Sequence, residues 1–398
     1  MRILICGGGI GGLAAALALA RIGAEVTVFE KRPYPREEGA GIQMGPNGTR
    51  ILRELGIAER LLPNIASPQS LCVHDGPSGQ RLTQLPLGGW LEKRHGAPYW
   101  VAHRADLHAS LMDAAQANPL ITIHPGVDIE STKTYADEVL AVSHGEVVGA
   151  GDLLIAADGL HSTLRKALFG APPPRYSGKS AARTVIPSAA VPKGIVTRSV
   201  GIWLAPQGHV VHYPVRGGEE LAVVVIRKDP DGDTDWAREI EPDWVADAVA
   251  EFAAPVRNLV ATSQTWRRWS LAELSPLPAW VRTRTLLLGD AAHPVLPFLA
   301  QGAVLALEDA ATLARCLSNA QLASNGTLGN AASAAALAAY ETARRPRSAR
   351  VQNASRRNGE IYHLSGAMRT ARNMTLRMAP PAKLLAGYDW LYGWKSGD

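Results

Sequence analysis

The first thirty residues alternate between short apolar runs and glycine-rich sequence. Ile3–Cys6 is an apolar run of strand length, and after several glycines an alanine- and leucine-rich segment of helical length continues to about Ile22. In Glu25–Glu30 two valines alternate with polar neighbours, which is the period of a half-buried strand. The chain is therefore predicted to open with a strand, a helix and a strand, the unit of parallel α/β sheets.

Four later segments extend this α/β pattern. Apolar residues recur at helical spacing in Asn47–Leu55 and in Arg104–Ala117, so both segments are predicted to be helices. Asp152–Ala156 and Thr285–Gly289 are short apolar runs of the kind found in strands buried inside parallel sheets.

Residues 175–276 have a different pattern. Val200–Leu204, Val210–Val215 and Leu221–Arg227 are rich in β-branched residues, and Arg216–Glu219 has the composition of a hairpin turn between the last two. We expect a second, antiparallel domain inserted between pieces of the first.

The sequence after Ala303 is predominantly helical in pattern. Asn325–Thr327 is predicted to interrupt this helix and Ala331–Ala343 to resume it. Residues 344–377 contain nine arginines and a single acidic residue, Glu360. They form either a solvated helical face or dimer contact, or a basic surface that attracts anionic small molecules.

Composition excludes several classes of protein. With 46% hydrophobic and 19% charged residues over 398 positions, the chain can build a large core and is not disordered. A formal net charge of +5 is too small to indicate nucleic-acid binding. Three scattered cysteines form no zinc or disulfide pattern, which favours the cytoplasm. The apolar run at 10–22 resembles a signal peptide, but its flanking glycines favour a retained N-terminus and no stable membrane association.

A dinucleotide-binding fingerprint lies between the first strand and the first helix. Gly7, Gly9 and Gly12 form G-x-G-x-x-G, and Glu30 ends the second strand. The glycines allow a tight turn, close approach to a pyrophosphate, and close packing of helix on strand, while an acid at this point can bind ribose hydroxyls. The motif alone does not distinguish FAD from NAD.

Two further motifs resemble those of the single-component FAD-dependent aromatic hydroxylases. Ala156–Arg165 is similar to the D-G motif of that family and Leu286–Pro294 to its G-D motif. Other segments that resemble the family are Ala40–Asn47, His103–Leu107, Pro297–Ala303 with Glu308–Ala310, and Tyr340–Arg347.

The resemblance implies an α/β fold with a Rossmann-like FAD-binding domain of the glutathione-reductase type, like that of para-hydroxybenzoate hydroxylase. It also implies an inserted antiparallel β substrate domain and C-terminal helices. The expected parts of the FAD-binding domain are residues 1–70, 100–174 and 277–330, those of the substrate domain are 71–99 and 175–276, and the C-terminal helical region is 331–398.

The resemblance also implies which residues contact the cofactor. Asp290 would bind a ribityl hydroxyl of FAD, Gln43 and Arg104 would face the ribityl–phosphate region, and the helix that begins at Gln301–Gly302 would point at the flavin ring. Asp158 would contribute to cofactor and nicotinamide handling, although it is also a good helix cap. The complete expected set is Gly7, Gly9, Gly12, Glu30, Lys31, Gln43, Arg104, Val127, Asp158, Gly289, Asp290, Pro297, Gly302 and Ala303.

The chemistry implied by the resemblance is aromatic hydroxylation. NAD(P)H reduces FAD, oxygen forms a flavin C4a-hydroperoxide, and an electron-rich phenolic ring takes up one oxygen atom. His209 and Tyr213 share one face of a predicted strand, so they can face one pocket, unless His209 is a surface histidine. This H-x-x-x-Y element and Gln301 resemble the pocket of the 3-hydroxybenzoate 6-hydroxylases, so His209, Tyr213 and Gln301 are the candidate catalytic residues.

The substrate stays open within this class. Salicylate-type, hydroxybenzoate-type and 6-hydroxynicotinate-type acids are alternatives, Met44 disfavours the last, and a neutral, quinone-like substrate or a non-catalytic flavin-binding module is a further alternative. Arg183, Arg198 and Arg227 are equal candidates for the substrate carboxylate. The choice between NADH and NADPH is open, and the resemblance is compatible with a homodimer.

Overall fold

The computed structural model describes residues 1–33, 41–230, 238–324 and 329–397. Its strands are β1 Arg2–Cys6, β2 Glu25–Glu30, β3 Gly41–Met44, β4 Ser70–Asp75, β5 Arg81–Pro86, β6 Trp100–His103, β7 Ile121–Pro125, β8 Ser131–Thr134, β9 Val139–Ser143, β10 Glu146–Gly151, β11 Leu153–Ala156, β12 Arg175–Pro187, β13 Val200–Ala205, β14 Gly208–Val215, β15 Glu220–Lys228, β16 Arg238–Ile240, β17 Trp266–Glu273, β18 Val281–Arg282 and β19 Thr285–Leu287. Its helices are α1 Ile10–Ala20, α2 Pro46–Glu54, α3 Ala58–Leu61, α4 Gly88–His95, α5 Arg104–Gln116, α6 Thr163–Phe169, α7 Pro242–Ala248, α8 Ala254–Ala261, α9 Gly302–Ala323, α10 Asn330–Tyr362, α11 Gly366–Met378, α12 Pro381–Ala386 and α13 Asp389–Tyr392.

The first sheet has the order β18-β19-β11-β1-β2-β7. Its central pairs are parallel, and only the short β18 pairs antiparallel to β19. Helix α1 is almost entirely alanine, leucine and glycine, and nearly all of it is buried because it packs against both β2 and α9. The predicted strand–helix–strand opening is therefore confirmed, and so are the buried strands after Asp152 and before Gly289.

The second sheet has the order β16-β17-β12-β15-β14-β13-β4-β5. The hairpin of β14 and β15 turns at Arg216–Gly218, as predicted. One expectation is wrong in detail, because the sheet is not wholly antiparallel. Strand β4 pairs parallel to β13, and since β4 arrives from the first domain rather than through a hairpin, its direction is not set by a turn.

The two faces of the second sheet have different neighbours. Side chains such as Trp203, Val223 and Val225 form an apolar cluster with α7 and α8 on the outer face. Side chains such as Tyr213 and Val224 form another cluster that includes Leu296 and Phe298 from the other domain. The inner face is therefore the one that meets the cofactor-side motifs.

The C-terminal helices extend further than predicted. Helix α10 continues to Tyr362 rather than ending near Ala343, although it contains Pro346. The arginines around this proline are tied to buried carboxylates, which offsets the backbone hydrogen bond that proline removes. The predicted interruption at Asn325–Thr327 lies outside the described residues. Ala40, the first residue of the family-like segment Ala40–Asn47, lies outside them too.

The arginine-rich segment is a solvated face only in part, because Arg344 and Arg372 are buried while Arg350, Arg357 and Arg377 are exposed. The ion pairs made from it among the described residues are Arg344 with Glu308 and Asp309, Arg347 with Glu308, Arg345 with Glu341, Arg356 with Glu273, and Arg369 and Arg372 with Asp75. Across the described parts of the chain, no helix is both long and apolar enough to cross a bilayer.

Candidate functional site

Four sequence-predicted residues lie together at the carboxyl edge of the first sheet. Gly7 follows β1, Glu30 ends β2, Asp158 follows β11 and Asp290 follows β19. Because β1, β2, β11 and β19 run parallel in this sheet, the loops after them converge on one crevice. Ligands of open α/β sheets bind in such a crevice.

The glycine loop is shaped to hold a pyrophosphate. Gly7 has φ +110°, and a Cβ at Gly12 would overlap the carbonyl oxygen of Gly7, so neither position accepts a side chain. A Cβ at Gly9 would instead meet nothing within 4 Å, which leaves open space in front of the loop. Helix α1 begins immediately afterwards without a side-chain cap, so its N-terminal N–H groups can serve an anion.

Glu30 is fixed beside this loop by backbone contacts. Its Oε2 accepts a 2.7 Å hydrogen bond from the Gly8 N–H and its Oε1 a 2.9 Å bond from the Arg32 N–H. Val127 donates its N–H to the Glu30 carbonyl oxygen at 3.0 Å, and Lys31 is the exposed residue next in the chain. Glu30, Lys31 and Val127 thus lie together beside the glycine loop.

Asp290 and Arg104 come together from different motifs. Arg104 is the first residue of α5, and its charge acts on the Asp290 carboxylate. The Asp290 side chain keeps accessible surface, although protein surrounds it closely enough that desolvation raises its pKa. A carboxylate that is accessible yet surrounded by protein lies in a cleft. The carboxylate can accept a hydrogen bond from a ligand that carries a hydroxyl group.

Asp158 also has unused hydrogen-bonding capacity. Its Oδ1 is buried and has no hydrogen-bond partner among the described residues, and burial raises its pKa. Its Oδ2 makes a long contact of 3.4 Å with the Leu164 N–H, and Ser162 and the Thr163 N–H also bond to the carboxylate. Ser162 is the N-cap of α6, since its Oγ accepts from the Arg165 N–H at 2.9 Å. Asp158 also contacts the first turn of this helix, while its Oδ1 remains without a hydrogen-bond partner among the described residues.

The segment Pro297–Ala303 has an unusual backbone. Pro297–Leu299 forms a short 3₁₀ turn, and Ala300 has φ +52°, a left-handed conformation that is strained for a non-glycine residue. Helix α9 then begins at Gly302–Ala303, and Gln301 is 2% exposed without capping the helix. The N-terminus of a 22-residue helix is thus presented at the crevice, where it can stabilise negative charge.

A buried ionic network holds that helix in place. Glu308 accepts hydrogen bonds from Arg344 and Arg347, each at 2.8 Å, and Asp309 accepts one from Arg344 at 2.6 Å. Asp309 also accepts from the Gly289 N–H at 2.9 Å. The cationic partners outweigh desolvation and lower the pKa of both carboxyl groups.

His293 belongs to the same network. Its Nε2 lies 2.5 Å from Asp309 Oδ2, which connects the G-D loop to α9. The sequence indicated these residues only as parts of quoted motifs, since the contacts between them are long-range.

The inner face of the second sheet carries His209 and Tyr213, as the strand pattern predicted. His209 is 2% exposed and packs against Phe298 at a ring distance of 5.6 Å, so it is not a surface histidine. Tyr213 donates its hydroxyl hydrogen to the Gly41 carbonyl oxygen at 3.0 Å, and burial raises its pKa.

The structure distinguishes the three candidate arginines by position. Arg183 lies on the inner face, in register with Val224, which in turn pairs with Val211 between His209 and Tyr213. Arg227 is on the outer face, where it stacks on Trp244, and Arg198 is exposed in a loop. Only Arg183 therefore shares the face of His209 and Tyr213.

The Arg183 guanidinium is available for an anion. It stacks over Trp269 at 4.9 Å, and no carboxylate within the described ranges pairs with it. Its Nε is buried without a hydrogen-bond partner, and desolvation lowers its pKa. A buried cation of this kind is stabilised by an anionic ligand.

Two residues at this face were missed by sequence reasoning. His363 follows the end of α10, and its Nε2 lies 2.9 Å from Nδ1 of His209. Tyr99 donates to Gln43 Oε1 at 2.7 Å. Neither had a local motif, and His363 is 154 positions from its partner.

The comparisons with known proteins agree with this geometry. A family model described as FAD binding domain matches residues 1–355. The 3-hydroxybenzoate 6-hydroxylase of Klebsiella oxytoca is 35% identical over 398 residues, which cover 100% of this chain and 98% of that protein. The 6-hydroxynicotinate 3-monooxygenase of Bordetella bronchiseptica is 35% identical over 367 residues, which cover 90% of this chain and 91% of that protein.

A solved structure has the same fold over nearly its whole length. The crystal structure of Klebsiella pneumoniae HpxO complexed with FAD and uric acid has a TM-score of 0.82 and 27% sequence identity. The match covers 97% of this chain and 95% of that chain.

Proposed function

Because the chain belongs to the FAD binding domain family and is a flavoprotein monooxygenase of the aromatic-hydroxylase type, we propose that it hydroxylates a small phenolic acid of the 3-hydroxybenzoate kind. One observation carries this proposal. Arg183, His209 and Tyr213 surround an apolar floor formed by Val211 and Val224. A cation and two proton-transfer groups around a flat apolar surface match a benzene ring that bears a carboxylate and a hydroxyl.

The residues at the sheet edge would hold FAD. The glycine loop and α1 would bind the pyrophosphate, Glu30 a ribose, and Asp290 with Arg104 and Gln43 the ribityl chain. The N-terminus of α9 would lie at the flavin ring. Bound FAD supplies electron transfer from NAD(P)H and the activation of O2.

The substrate would lie flat across the second sheet. Neighbouring strands are about 4.8 Å apart, so Arg183 and Val211, two strands apart, are separated by about 10 Å along the sheet. Across this distance Arg183 would bind the carboxylate and Nε2 of His209 would accept the phenolic proton. Loss of that proton makes the ring electron-rich and so able to take up oxygen.

The protein around this position would also exclude water. Phe298, Leu296 and Leu204 belong to the apolar cluster on this face. A dry pocket favours transfer of oxygen to the substrate over its loss as hydrogen peroxide. Gln301 and Tyr213, both buried, would orient the ring at the flavin side of the pocket.

The experiment that tests this function is a substrate panel on the FAD-loaded protein. NADH and NADPH oxidation would be followed with 3-hydroxybenzoate, salicylate, 6-hydroxynicotinate, benzoate and the neutral phenol. We expect one phenolic acid to stimulate oxidation with little hydrogen peroxide, and the neutral phenol to fail. Stimulation by the neutral phenol alone would contradict the proposal, and stimulation by none would favour a binding module.

The cellular setting is part of the same proposal. Cys6, Cys72 and Cys316 are all buried and unpaired, which supports a cytoplasmic enzyme. A homodimer is proposed on the family resemblance, and sedimentation of the FAD-loaded protein would test it.

A further inference from the structure

The imidazoles of His209 and His363 form a direct contact that the proposed function does not yet use. His209 Nδ1 and His363 Nε2 are 2.9 Å apart. Within the described residues, Nε2 of His209 has no hydrogen-bond partner. The His209 ring packs edge-on against Tyr362 at 5.2 Å and tilted against Phe298 at 5.6 Å. Because the two nitrogens of an imidazole point away from each other, Nε2 is directed away from His363.

The pair runs from the buried pocket toward the surface. His209 is 2% exposed, whereas His363 is partly exposed at the end of α10. Arg372 donates to the carbonyl oxygens of Ile361 at 3.0 Å and Tyr362 at 2.8 Å, which fixes the backbone that carries His363. The inner member of the pair is therefore buried at the proposed substrate position, and the outer member lies nearer to solvent.

The charges around the pair disfavour a proton that stays on either ring. Lys179 from β12, Lys228 from β15 and Arg372 from α11 act on His363, and Lys179 also acts on His209. No carboxylate contributes to the shift of either ring. Burial and these cations lower the pKa of His363 to about 4 and lower that of His209 as well, so both rings are neutral at pH 7. One nitrogen of the contact then donates and the other accepts.

We propose that His363 is the outer member of a two-histidine relay that carries the phenolic proton of the substrate from His209 to solvent. The inference rests on the proposed function. It assigns to His363 a positioning and transfer role through His209, since His363 itself does not touch the substrate position.

The proton balance of the relay closes over one turnover. The substrate O–H bond breaks and its proton binds Nε2 of His209, while the Nδ1 proton of His209 moves to Nε2 of His363. The His363 imidazolium then releases its Nδ1 proton to water, and both rings are neutral again with their tautomers exchanged. When the product takes a proton from Nε2 of His209, the transfers run in reverse and water reprotonates Nδ1 of His363.

The test measures proton release on substrate binding, without turnover. Oxidised, FAD-loaded protein is mixed in weak buffer with 3-hydroxybenzoate and a pH indicator, and the affinity is taken from the flavin absorbance change. The wild type is expected to release up to one proton per site. His363→Gln, which can keep a hydrogen bond but cannot relay a proton, is expected to bind with unchanged affinity and to release the proton about tenfold to a hundredfold more slowly.

Two further variants separate transfer from packing. His363→Ala is expected to be equally slow and to regain speed with added imidazole, because the position is partly exposed. Tyr362→Phe keeps the ring beside His209 and is the matched control, expected to release the proton at the wild-type rate.

The outcomes distinguish the relay from the proposed function. If His363→Gln releases the proton at the wild-type rate while His209→Gln does not, the relay is wrong and the proposed function stands. Slowing in His363→Ala that imidazole does not relieve would also overturn the relay. A wild type that neither binds nor hydroxylates a hydroxybenzoate would refute the proposed function, and the relay with it.

Discussion

Asn47 donates a 3.0 Å hydrogen bond to Oε1 of Gln301, across 254 positions of sequence. The same amide nitrogen donates to Oε1 of Glu308 at 2.8 Å. Because a carboxylate only accepts, this end of the Asn47 amide must be nitrogen, and the end of Gln301 that faces it must be oxygen. The Nε2 of Gln301 is thereby directed away from Asn47. It makes a long 3.5 Å hydrogen bond to the Ala300 carbonyl oxygen and keeps a second proton that can be donated to flavin or substrate.

Loss of the hydrogen bond that orients Gln301 should affect the coupling of NAD(P)H oxidation to hydroxylation more than it affects FAD binding. Asn47→Ala is expected to leave FAD bound while the hydrogen peroxide formed per NAD(P)H rises severalfold. Gln301→Leu should have the same effect, and the double variant should be no worse than either single one, since both act on one group. Additive losses in the double variant would show that the two residues act separately.

The position of Arg183 predicts its effect on substrate affinity. Arg183→Gln should weaken binding of an aromatic acid by about tenfold to a hundredfold, the loss of about 1.4–2.7 kcal/mol of charge-assisted hydrogen bonding. Arg227→Gln, on the opposite face of the same sheet, is the matched control and should change affinity less than twofold. Flavin absorbance titrations measure both. Equal losses in the two variants would remove Arg183 from the carboxylate site.

Local patterns made the cofactor side of the molecule predictable. Glu30 ends a strand, and the glycine loop, Asp158 and Asp290 each follow one, so the edge of a parallel sheet brings them together without further information. The alternation of β14 likewise predicted that His209 and Tyr213 share a face.

What could not be predicted depends on contacts between distant elements. Nothing in the sequence near His363 indicates His209, and the choice of Arg183 over Arg227 required the register of β12 against β15. The extent of α10 past Pro346 depends on buried carboxylates in α9, which a local pattern does not contain. The parallel pairing of β4 with β13 is similarly a property of the assembled domains.

The buried network around α9 predicts a large loss of stability. Arg344→Met leaves Glu308 and Asp309 without their shared buried partner, and breaking such a pair costs about 3–5 kcal/mol. Arg350→Met on the same helix removes only an exposed stack on Trp390 and should cost less than about 1 kcal/mol. Urea denaturation of the FAD-loaded variants compares the two, and similar midpoints would contradict this role.

Four histidines predict how stability depends on pH. Burial lowers the pKa of His74 and His363 to about 4 and of His212 to about 3, and it also lowers that of His209. An unfolded histidine titrates near 6.5, so below that pH the unfolded state binds more protons and folding stability falls. The melting temperature should be level above pH 7 and decline from pH 6.5 toward 4.

The same histidines offer a control for that prediction. His363→Gln removes one titrating group and should make the decline shallower, whereas His144→Gln, an exposed position, should not. A melting temperature that stays constant from pH 7.5 to pH 5 would show that the buried histidines do not cause the loss of folding stability in acid.

Substitution of His209 should lower the yield of hydroxylated product without weakening FAD retention. His209→Gln is expected to keep FAD and NAD(P)H oxidation, while the hydroxylated product per NAD(P)H falls at least about tenfold and hydrogen peroxide rises to match. Asp290→Ala should do the reverse and weaken FAD retention on gel filtration. Unchanged coupling in His209→Gln would remove this histidine from the mechanism.

The most direct test of the account is the fate of molecular oxygen. The FAD-loaded wild type would be run with NAD(P)H and 3-hydroxybenzoate, or the phenolic acid that stimulates it most, under ¹⁸O₂, and the aromatic product weighed by mass spectrometry. The account predicts one ¹⁸O atom per product molecule, in a ring hydroxyl, with product close to equal to NAD(P)H consumed. An aromatic ring without ¹⁸O, together with one hydrogen peroxide formed for each NAD(P)H consumed, would contradict it.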